Sequence, residues 1–127
     1  MRTLTKYQIY IVMVLLVFGL FSQSCTYDEI IPPEVEVPDT VSFELDIIPI
    51  FEMNCNSGTC HATGAVPPDL SPDNAWVNLT FFGYVDTANA DQSQLYQKID
   101  GGSMEKFASD QDRALILKWI DQGANNN

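Results

Sequence analysis

Two cysteines and a histidine lie together near the middle of the chain, in the segment CNSGTCH from Cys55 to His61. His61 is the only histidine of the 127 residues, and the pair provides two of the three cysteines. Two thiols followed directly by an imidazole can hold a c-type haem, because each thiol adds across a vinyl group and the imidazole ligates the iron. The usual spacing has two intervening residues, whereas four separate Cys55 from Cys60. Gly58 gives this wider loop conformational freedom.

Three other uses of the same residues stay open from the spacing alone. Cys55 and Cys60 can form a disulfide, which is the default for a cysteine pair in an exported protein. A zinc site would be one ligand short, because it usually has four and the segment offers two cysteines and one histidine. A redox-active dithiol normally has two intervening residues near a βαβ pattern, and the sequence shows neither.

The N-terminus, residues 1–24, has the pattern of a secretory signal. Arg2 and Lys6 accompany an apolar run from Ile9 to Phe21, whose 13 residues are short for a membrane span of about 20. Ser24-Cys25 then resembles a bacterial lipobox, in which the cysteine is acylated and becomes the new N-terminus. We therefore predict lipidation of Cys25, with ordinary signal cleavage or an uncleaved anchor as the alternatives. This use of Cys25 leaves no unpaired cysteine besides those of CNSGTCH.

The chain after the signal is strongly acidic. All 17 acidic residues follow Cys25 and two of the six basic residues precede it, so residues 25–127 have 17 acids against four bases, a formal charge of −13. Nucleic acid and anionic membrane surfaces are therefore disfavoured as partners. The charge fits either a partner protein with a basic patch or solubility alone.

A tether over residues 25–42 is predicted to join the lipid to a domain over residues 43–127. Three prolines and five acids, without a basic residue, favour an extended and solvated chain over residues 26–42. At roughly 3.1 Å per residue, these 17 residues span about 50 Å. A tether of this length would let one anchored domain reach several partners.

Helical signals begin soon after the tether. The first helix is predicted to have Asp46 as its N-cap and Pro49 in its first turn, where a missing N–H costs nothing. Its apolar face contains Ile47, Ile50 and Phe51. A second helix is predicted to start at Ser71 as N-cap, with Pro72 at the first helical position.

Two further helices complete the predicted domain. The third spans Asp91–Ile99 and ends at a pair of glycines. The fourth has Ser109 as its cap and ends at Gly123, with an apolar face of Leu115, Ile116, Trp119 and Ile120. Asn125 to Asn127 are expected to form a frayed tail. No segment alternates like a strand, so the sequence predicts an all-α domain that is marginal on its own core and would gain from packing around a cofactor.

Residues 43–124 resemble the class I c-type cytochrome family, in particular envelope members with widened cysteine spacing. Phe51, four residues before the first cysteine, and Trp119, on the last helix, stand where the family has aromatic residues. The run PPDL from Pro67 to Leu70 is similar to the family's Gly-Pro-Asn-Leu, with proline at the glycine position. The resemblance implies a small cytochrome c-like fold of three to four short helices packed around one covalently bound haem c.

The resemblance also implies roles for individual residues. Cys55 and Cys60 would carry the haem thioethers, and His61 would be the proximal ligand of the iron. The carbonyl of Pro68 would accept the Nδ1 proton of His61, which fixes the tautomer and raises the basicity of the ligand. Leu70 would pack on the haem.

Met104 is implied as the second axial ligand. It lies in a Gly-Gly-Ser-Met loop, 43 residues after His61 and just before the last helix, where the family places its axial methionine. Met53 is two residues before Cys55 and is tied to the helix that enters on the histidine side. The family often has prolines directly after this methionine, whereas Glu105 and Lys106 follow Met104. A haem with one histidine and one methionine ligand has a higher reduction potential than a haem with two histidine ligands.

These features together predict a lipid-anchored, monohaem c-type cytochrome that carries single electrons in a bacterial cell envelope, on the periplasmic side or the cell surface. Redox proteins with basic docking patches are the expected partners, and a place in a larger respiratory assembly is compatible with the same features. No residue set suggests substrate turnover. Two alternatives stay open: a haem protein with an open sixth position that acts as an enzyme or sensor, and a haem-free lipoprotein, closed by a Cys55–Cys60 disulfide, that acts as an interaction module.

Overall fold

The computed structural model describes residues 6–14 and 35–127 of the chain. Residues 6–14 form a helix, and no helix within the described ranges is long and apolar enough to cross a membrane. Cys25 and the predicted cleavage site lie outside the described residues. The chain divides into two compact units, Met1–Pro33 and Glu34–Asn127.

The second unit is helical, and residues 35–127 contain no strand, which confirms the all-α prediction. Four α-helices alternate with shorter helical turns. In chain order, the elements are a π-helical turn (Phe43–Ile47), α1 (Ile48–Asn54), α2 (Ala75–Phe81), a 3-10 turn (Ala90–Gln92), α3 (Gln94–Ile99), a second 3-10 turn (Glu105–Phe107) and α4 (Asp110–Asp121).

The first helical segment starts earlier than predicted, with Ser42 as its N-cap instead of Asp46. The Ser42 hydroxyl accepts a hydrogen bond from the Leu45 N–H at 3.2 Å, and the Asp46 carboxylate accepts one from the Ser42 N–H at 2.7 Å. This reciprocal arrangement satisfies donors that the start of a helix leaves free. Pro49 lies in the first turn of α1, as predicted.

The second helix starts later than predicted, at Ala75. Ser71 does not cap it, because the Ser71 hydroxyl donates to the Asp69 carboxylate at 2.6 Å and also contacts the Thr63 hydroxyl at 3.1 Å. The Ser71 carbonyl still accepts the Ala75 N–H at 2.8 Å. Residues 71–74 are therefore a turn that leads into α2.

The third predicted helix is divided at Ser93 into a 3-10 turn and α3. Ser93 is buried, and its hydroxyl accepts the Asp86 N–H at 2.7 Å and contacts the Asp86 carbonyl at 3.3 Å. These contacts hold the loop before α3 against Ser93, the N-cap of that helix. The prediction of one continuous helix from Asp91 was therefore wrong. The predicted end of this helix at Ile99, before the two glycines, is confirmed.

The last helix, α4, follows the prediction. The Ser109 hydroxyl accepts the Asp112 N–H at 3.1 Å while the Asp112 carboxylate accepts the Ser109 N–H at 2.9 Å, which forms a capping box. Gly123 ends the helix with a φ of +99°, in the left-handed region that glycine adopts without strain. Ile116, Trp119 and Ile120 are buried.

The core joins the two ends of the domain. The Trp119 ring on α4 lies against the Phe43 ring at 5.0 Å between centroids, and α4 also packs against α3. Ile47, Phe51 and Leu79 are buried in the same cluster. A single core therefore links the start of the domain, α2 and the last helix.

The C-terminal residues are bound to the domain, so the expectation of a frayed tail was wrong. The backbone oxygen of Asn127 accepts hydrogen bonds from the Glu44 N–H at 3.0 Å and the Ser42 hydroxyl at 2.8 Å, and its side-chain oxygen accepts the Phe43 N–H at 2.9 Å. The Trp119 indole N–H donates to the Asn125 carbonyl at 2.9 Å. These bonds satisfy free N–H groups at the first turn of the domain.

Residues 35–42, which we call the strap, belong to the same compact unit although the sequence places them in the tether. Two glutamines of the last helical segment hold the strap. The Gln111 side chain donates to the Glu36 carbonyl at 2.7 Å, and the Gln122 side chain donates to the Asp39 carbonyl at 2.5 Å and accepts the Val41 N–H at 3.0 Å. The strap therefore follows α4 from its first turn to its end.

Candidate functional site

The cysteine loop closes on itself by backbone hydrogen bonds. The His61 N–H donates to the Cys55 carbonyl at 3.1 Å, and the Cys60 N–H donates to the Ser57 carbonyl at 2.7 Å. Residues 57–60 are exposed, and no atom lies within 4 Å of the position that a Cβ would take at Gly58. The two additional residues are therefore accommodated as an outward loop, while Cys55 and Cys60 stay at the ends of one closed ring of backbone.

Both thiols of this loop are free, and their surroundings differ. Cys60 is exposed, whereas Cys55 is half-buried at the end of α1. Burial, and then the nearby Asp112 carboxylate and Cys60, raise the pKa of Cys55 to about 11. A reactive dithiol needs a lowered thiol pKa, so the environment of Cys55 is the opposite of a redox-active one.

This difference predicts unequal alkylation of the two thiols in the haem-free chain. A thiol with a pKa of about 11 is about 0.1% thiolate at pH 8, and only the thiolate reacts with iodoacetamide. Cys55 should therefore react much more slowly than Cys60 at pH 8, and its rate should rise about tenfold per pH unit towards the pKa. Mass spectrometry of each peptide against time measures both rates. Equal rates at pH 8 in the folded chain would contradict the prediction, and equal rates in denaturant serve as the control.

The His61 ring is held by two backbone carbonyls. Its Nδ1 lies 3.0 Å from the Val66 carbonyl oxygen and 3.1 Å from the Pro68 carbonyl oxygen. A carbonyl only accepts, so Nδ1 must carry the proton, and the neutral ring then has its lone pair on Nε2. The hydrogen bond to Pro68 expected from the sequence is present, and the contact with Val66 is an additional one that the sequence did not indicate.

The segment after His61 folds back over the cysteine loop. The Val66 N–H donates to the Cys60 carbonyl at 2.8 Å, and the Leu70 N–H donates to the His61 carbonyl at 2.7 Å. Leu70 is buried in the core cluster. The backbone from His61 to Leu70 is thus closed at both ends, which fixes the two carbonyls that face the imidazole.

A network of small polar side chains ties this segment to α2. The Asp69 carboxylate accepts hydrogen bonds from the Ser71 N–H at 2.9 Å, the Ser71 hydroxyl at 2.6 Å and the Asn74 amide at 3.0 Å. These bonds, above all the one from the Ser71 hydroxyl, lower the pKa of Asp69 below its ordinary value. The Asp69 N–H donates to the Asn78 side-chain oxygen at 3.3 Å. Sequence reasoning missed this network, although Asp69 two residues before Ser71 is the spacing of an Asx turn.

Met104 lies in a loop that wraps around the end of α3. Its N–H donates to the Lys98 carbonyl at 2.8 Å, one of the carbonyls that the end of a helix leaves free, and Met104 precedes the second 3-10 turn. The residue is 36% exposed, whereas Met53 is 75% exposed on α1. Within residues 6–14 and 35–127, no group of three or more His, Cys, Asp or Glu side chains is placed to hold a metal ion.

Gly102 is needed for this loop because it touches the backbone of α3. A Cβ at Gly102 would clash with the Gln97 carbonyl oxygen and lie 2.8 Å from the Lys98 Cα. Gly102→Ala is therefore expected to lower the free energy of unfolding by about 1–3 kcal/mol and to displace the Met104 loop. Gly58→Ala is the matched control, with an expected effect within about 0.5 kcal/mol. Urea denaturation of both variants tests this, and equal stabilities would contradict it.

The site therefore combines two free thiols, at the ends of one closed loop, with an imidazole. The lone pair on the Nε2 of this imidazole can ligate a metal. The structure brings Cys55, Cys60, His61 and the Pro68 carbonyl together, and it places Met104 in the loop after α3, bonded to the Lys98 carbonyl. Compared with known proteins, the chain matches no family model, and no curated protein or solved structure is significantly similar to it.

Proposed function

We propose that the chain is a membrane-anchored, monohaem c-type cytochrome that carries single electrons in a bacterial cell envelope. The observation that carries the proposal is the geometry of His61. Two carbonyl acceptors keep the proton on Nδ1, which leaves Nε2, on the residue directly after Cys60, as a metal ligand.

The donor set of the chain fits a covalently attached haem. Addition of a thiol to a vinyl group forms a sulfur–carbon bond and moves the thiol proton to the other vinyl carbon, so it needs no oxidant. Cys55 and Cys60 are free for this addition, and His61 supplies the imidazole that such a haem requires. The haem, when bound, supplies a reversible one-electron change at its iron.

The arrangement of the helices supports a cytochrome c-like fold. The first helical segment leads directly into the cysteine loop, and α3 leads into the Met104 loop. The last helix packs against the π-helical turn before α1 and against α3. We propose that these elements surround the haem, with Leu70 packed on it and Met104 as the second axial ligand.

The distribution of charge favours cationic redox partners. The chain has no lysine or arginine from residue 7 to residue 97, and its four remaining bases lie from Lys98 to Lys118. Between Met53 and Pro68 there is also no acidic residue, so the cysteine loop is an uncharged surface within an acidic chain. A partner with a basic rim around an uncharged contact would complement this pattern. We further propose that lipid on Cys25 anchors the protein.

A haem stain after denaturing gel electrophoresis tests the proposal most directly. The full chain, produced with a c-type maturation system, should keep a haem signal at the mass of the protein, because thioethers survive denaturation. Absence of this signal would refute the cytochrome and leave the haem-free interaction module. Air-oxidised protein should then be examined for a Cys55–Cys60 disulfide.

The role of Met104 separates an electron carrier from a haem enzyme or sensor with an open sixth position. Met104→Ala is expected to abolish the methionine-to-iron charge-transfer band of the oxidised protein, because the thioether ligand is lost. Met53→Ala is the matched control and should keep the band, since Met53 is exposed on α1. Absence of the band in the parent protein would refute methionine ligation and favour the open sixth position.

A further inference from the structure

We propose that Asn78 on α2 is a positioning residue for His61 and acts through the peptide unit between Pro68 and Asp69. The consequence for the iron rests on the proposed function, whereas the consequence for the imidazole does not. Asn78 lies 17 residues after His61, and no pattern in the sequence connects the two.

A single peptide unit joins the two side chains. Its carbonyl, from Pro68, faces the His61 Nδ1 at 3.1 Å, and its N–H, from Asp69, donates to the Asn78 side-chain oxygen at 3.3 Å. The C=O and N–H of a trans peptide are coplanar and point in opposite directions. A hydrogen bond on one side therefore fixes the direction of the group on the other side.

Asn78 is itself held in one orientation. Its side-chain NH₂ donates to the Asn74 carbonyl at 3.1 Å, which directs its oxygen towards Asp69. Asn78 lies between Ala75 and Leu79 on α2, both of which are buried with the core. The Asn74 amide also donates to the Asp69 carboxylate at 3.0 Å, so the residue after Pro68 is fixed to α2 by both its backbone and its side chain.

The hydroxyls around Asp69 form one directional chain. Because the Ser71 hydroxyl donates its only proton to Asp69, the Thr63 hydroxyl must be the donor in the 3.1 Å contact between Thr63 and Ser71. Thr63 follows His61 by two residues, and Asp69 follows Pro68 directly. The network therefore joins the start and the end of the loop that contains the Val66 and Pro68 carbonyls. The whole arrangement connects the imidazole to a rigid helix.

This connection has a defined effect on the ligand. Hydrogen bonds in series polarise one another, so the Asn78 oxygen makes the Pro68 carbonyl a stronger acceptor for the Nδ1 proton. A stronger acceptor raises the basicity of Nε2, and a more basic imidazole favours the oxidised iron. Asn78 is therefore expected to lower the reduction potential of the bound haem.

Three variants on α2 test the inference in the haem-loaded full chain. Asn78→Leu removes the acceptor and should shift the potential upwards, by about 59 mV for a tenfold loss of preference for the oxidised form. Asn78→Asp keeps an acceptor oxygen and should show no upward shift. Thr80→Val removes a hydroxyl that donates only to the Trp76 carbonyl of the same helix, at 2.7 Å, and should leave the potential unchanged.

The His61 tautomer supplies a readout that is independent of haem. Nitrogen NMR of the full chain without haem should show the proton on Nδ1 in the parent and a larger fraction of the Nε2-protonated tautomer in Asn78→Leu, in which the Val66 carbonyl is the only acceptor still held in place. An unchanged tautomer and an unchanged potential in Asn78→Leu, or an equal upward shift in Asn78→Asp and Thr80→Val, would overturn the inference. A parent chain that binds no covalent haem would refute the proposed function, and the tautomer comparison would still decide the role of Asn78.

Discussion

Replacing both Cys55 and Cys60 by alanine is expected to abolish the haem stain of the full chain after denaturing electrophoresis. The two thioethers are the only covalent bonds that the proposed site forms with the cofactor, so denaturation should strip haem from the double variant completely. Each single variant keeps one thiol and should retain a weaker stain. The measurement is the stain intensity relative to protein in the same band.

Cys25→Ala is the matched control, because it removes the third cysteine without touching the site. It should keep the full stain and move the protein from the membrane fraction to the soluble fraction, as expected for loss of the lipid. A double variant that still stains would show that Cys55 and Cys60 do not attach the haem. Mass spectrometry of the mature N-terminus decides the anchor, because an unmodified Cys25 in the parent protein would refute lipidation whatever the fraction in which the variant is found.

Trp119→Ala is expected to cost about 3–5 kcal/mol of unfolding free energy, which is a large part of the roughly 5–15 kcal/mol available to a small domain. The Trp119 side chain is only 1% exposed, stacks on Phe43 and donates its indole N–H to the Asn125 carbonyl. The substitution leaves a cavity between α4 and the start of the domain and frees the bound C-terminal residues. Urea denaturation, followed by circular dichroism, measures the loss.

Two further variants show which part of this effect is packing. Trp119→Phe keeps most of the ring but removes the indole donor, so about 1 kcal/mol of its loss should come from the hydrogen bond. Leu45→Ala is the control for a large apolar side chain that is not packed, since Leu45 is 76% exposed, and should change stability by less than about 0.5 kcal/mol. Equal losses for Trp119→Ala and Leu45→Ala would contradict the assignment of the core.

Local signals in the sequence predicted the last helix well. Ser109 and Gly123 act on neighbouring backbone groups only, and the periodic apolar residues between them have one face to bury. Ser71 shows the limit of the same reasoning. Its hydroxyl suits a helix cap, but Asp69 and Thr63 engage it instead, and α2 starts at Ala75.

Contacts between residues far apart in the chain could not be predicted from the sequence. Asn127 lies in a run of three asparagines that the sequence predicts to be frayed. It is bound because the π-helical turn, more than 80 residues earlier in the chain, has free N–H groups that donate to it. At the candidate site, Cys55, Cys60, His61 and Pro68 could be named from one short segment of sequence, because they lie within 14 residues of one another. Asn78 could not, because only the packing of α2 brings it to the Asp69 N–H.

The strap changes the range over which an anchored domain could exchange electrons. With residues 35–42 held along α4, nine residues of sequence, 26 to 34, separate Cys25 from the strap. Nine residues extend to at most about 30 Å, compared with the roughly 50 Å expected for the whole tether. If Cys25 carries the proposed lipid, a redox partner would have to bring its electron-exchanging surface within a few tens of ångströms of the lipid headgroups. Under the proposed anchor, this geometric limit would favour complexes seated in the same membrane over partners attached to the opposite one.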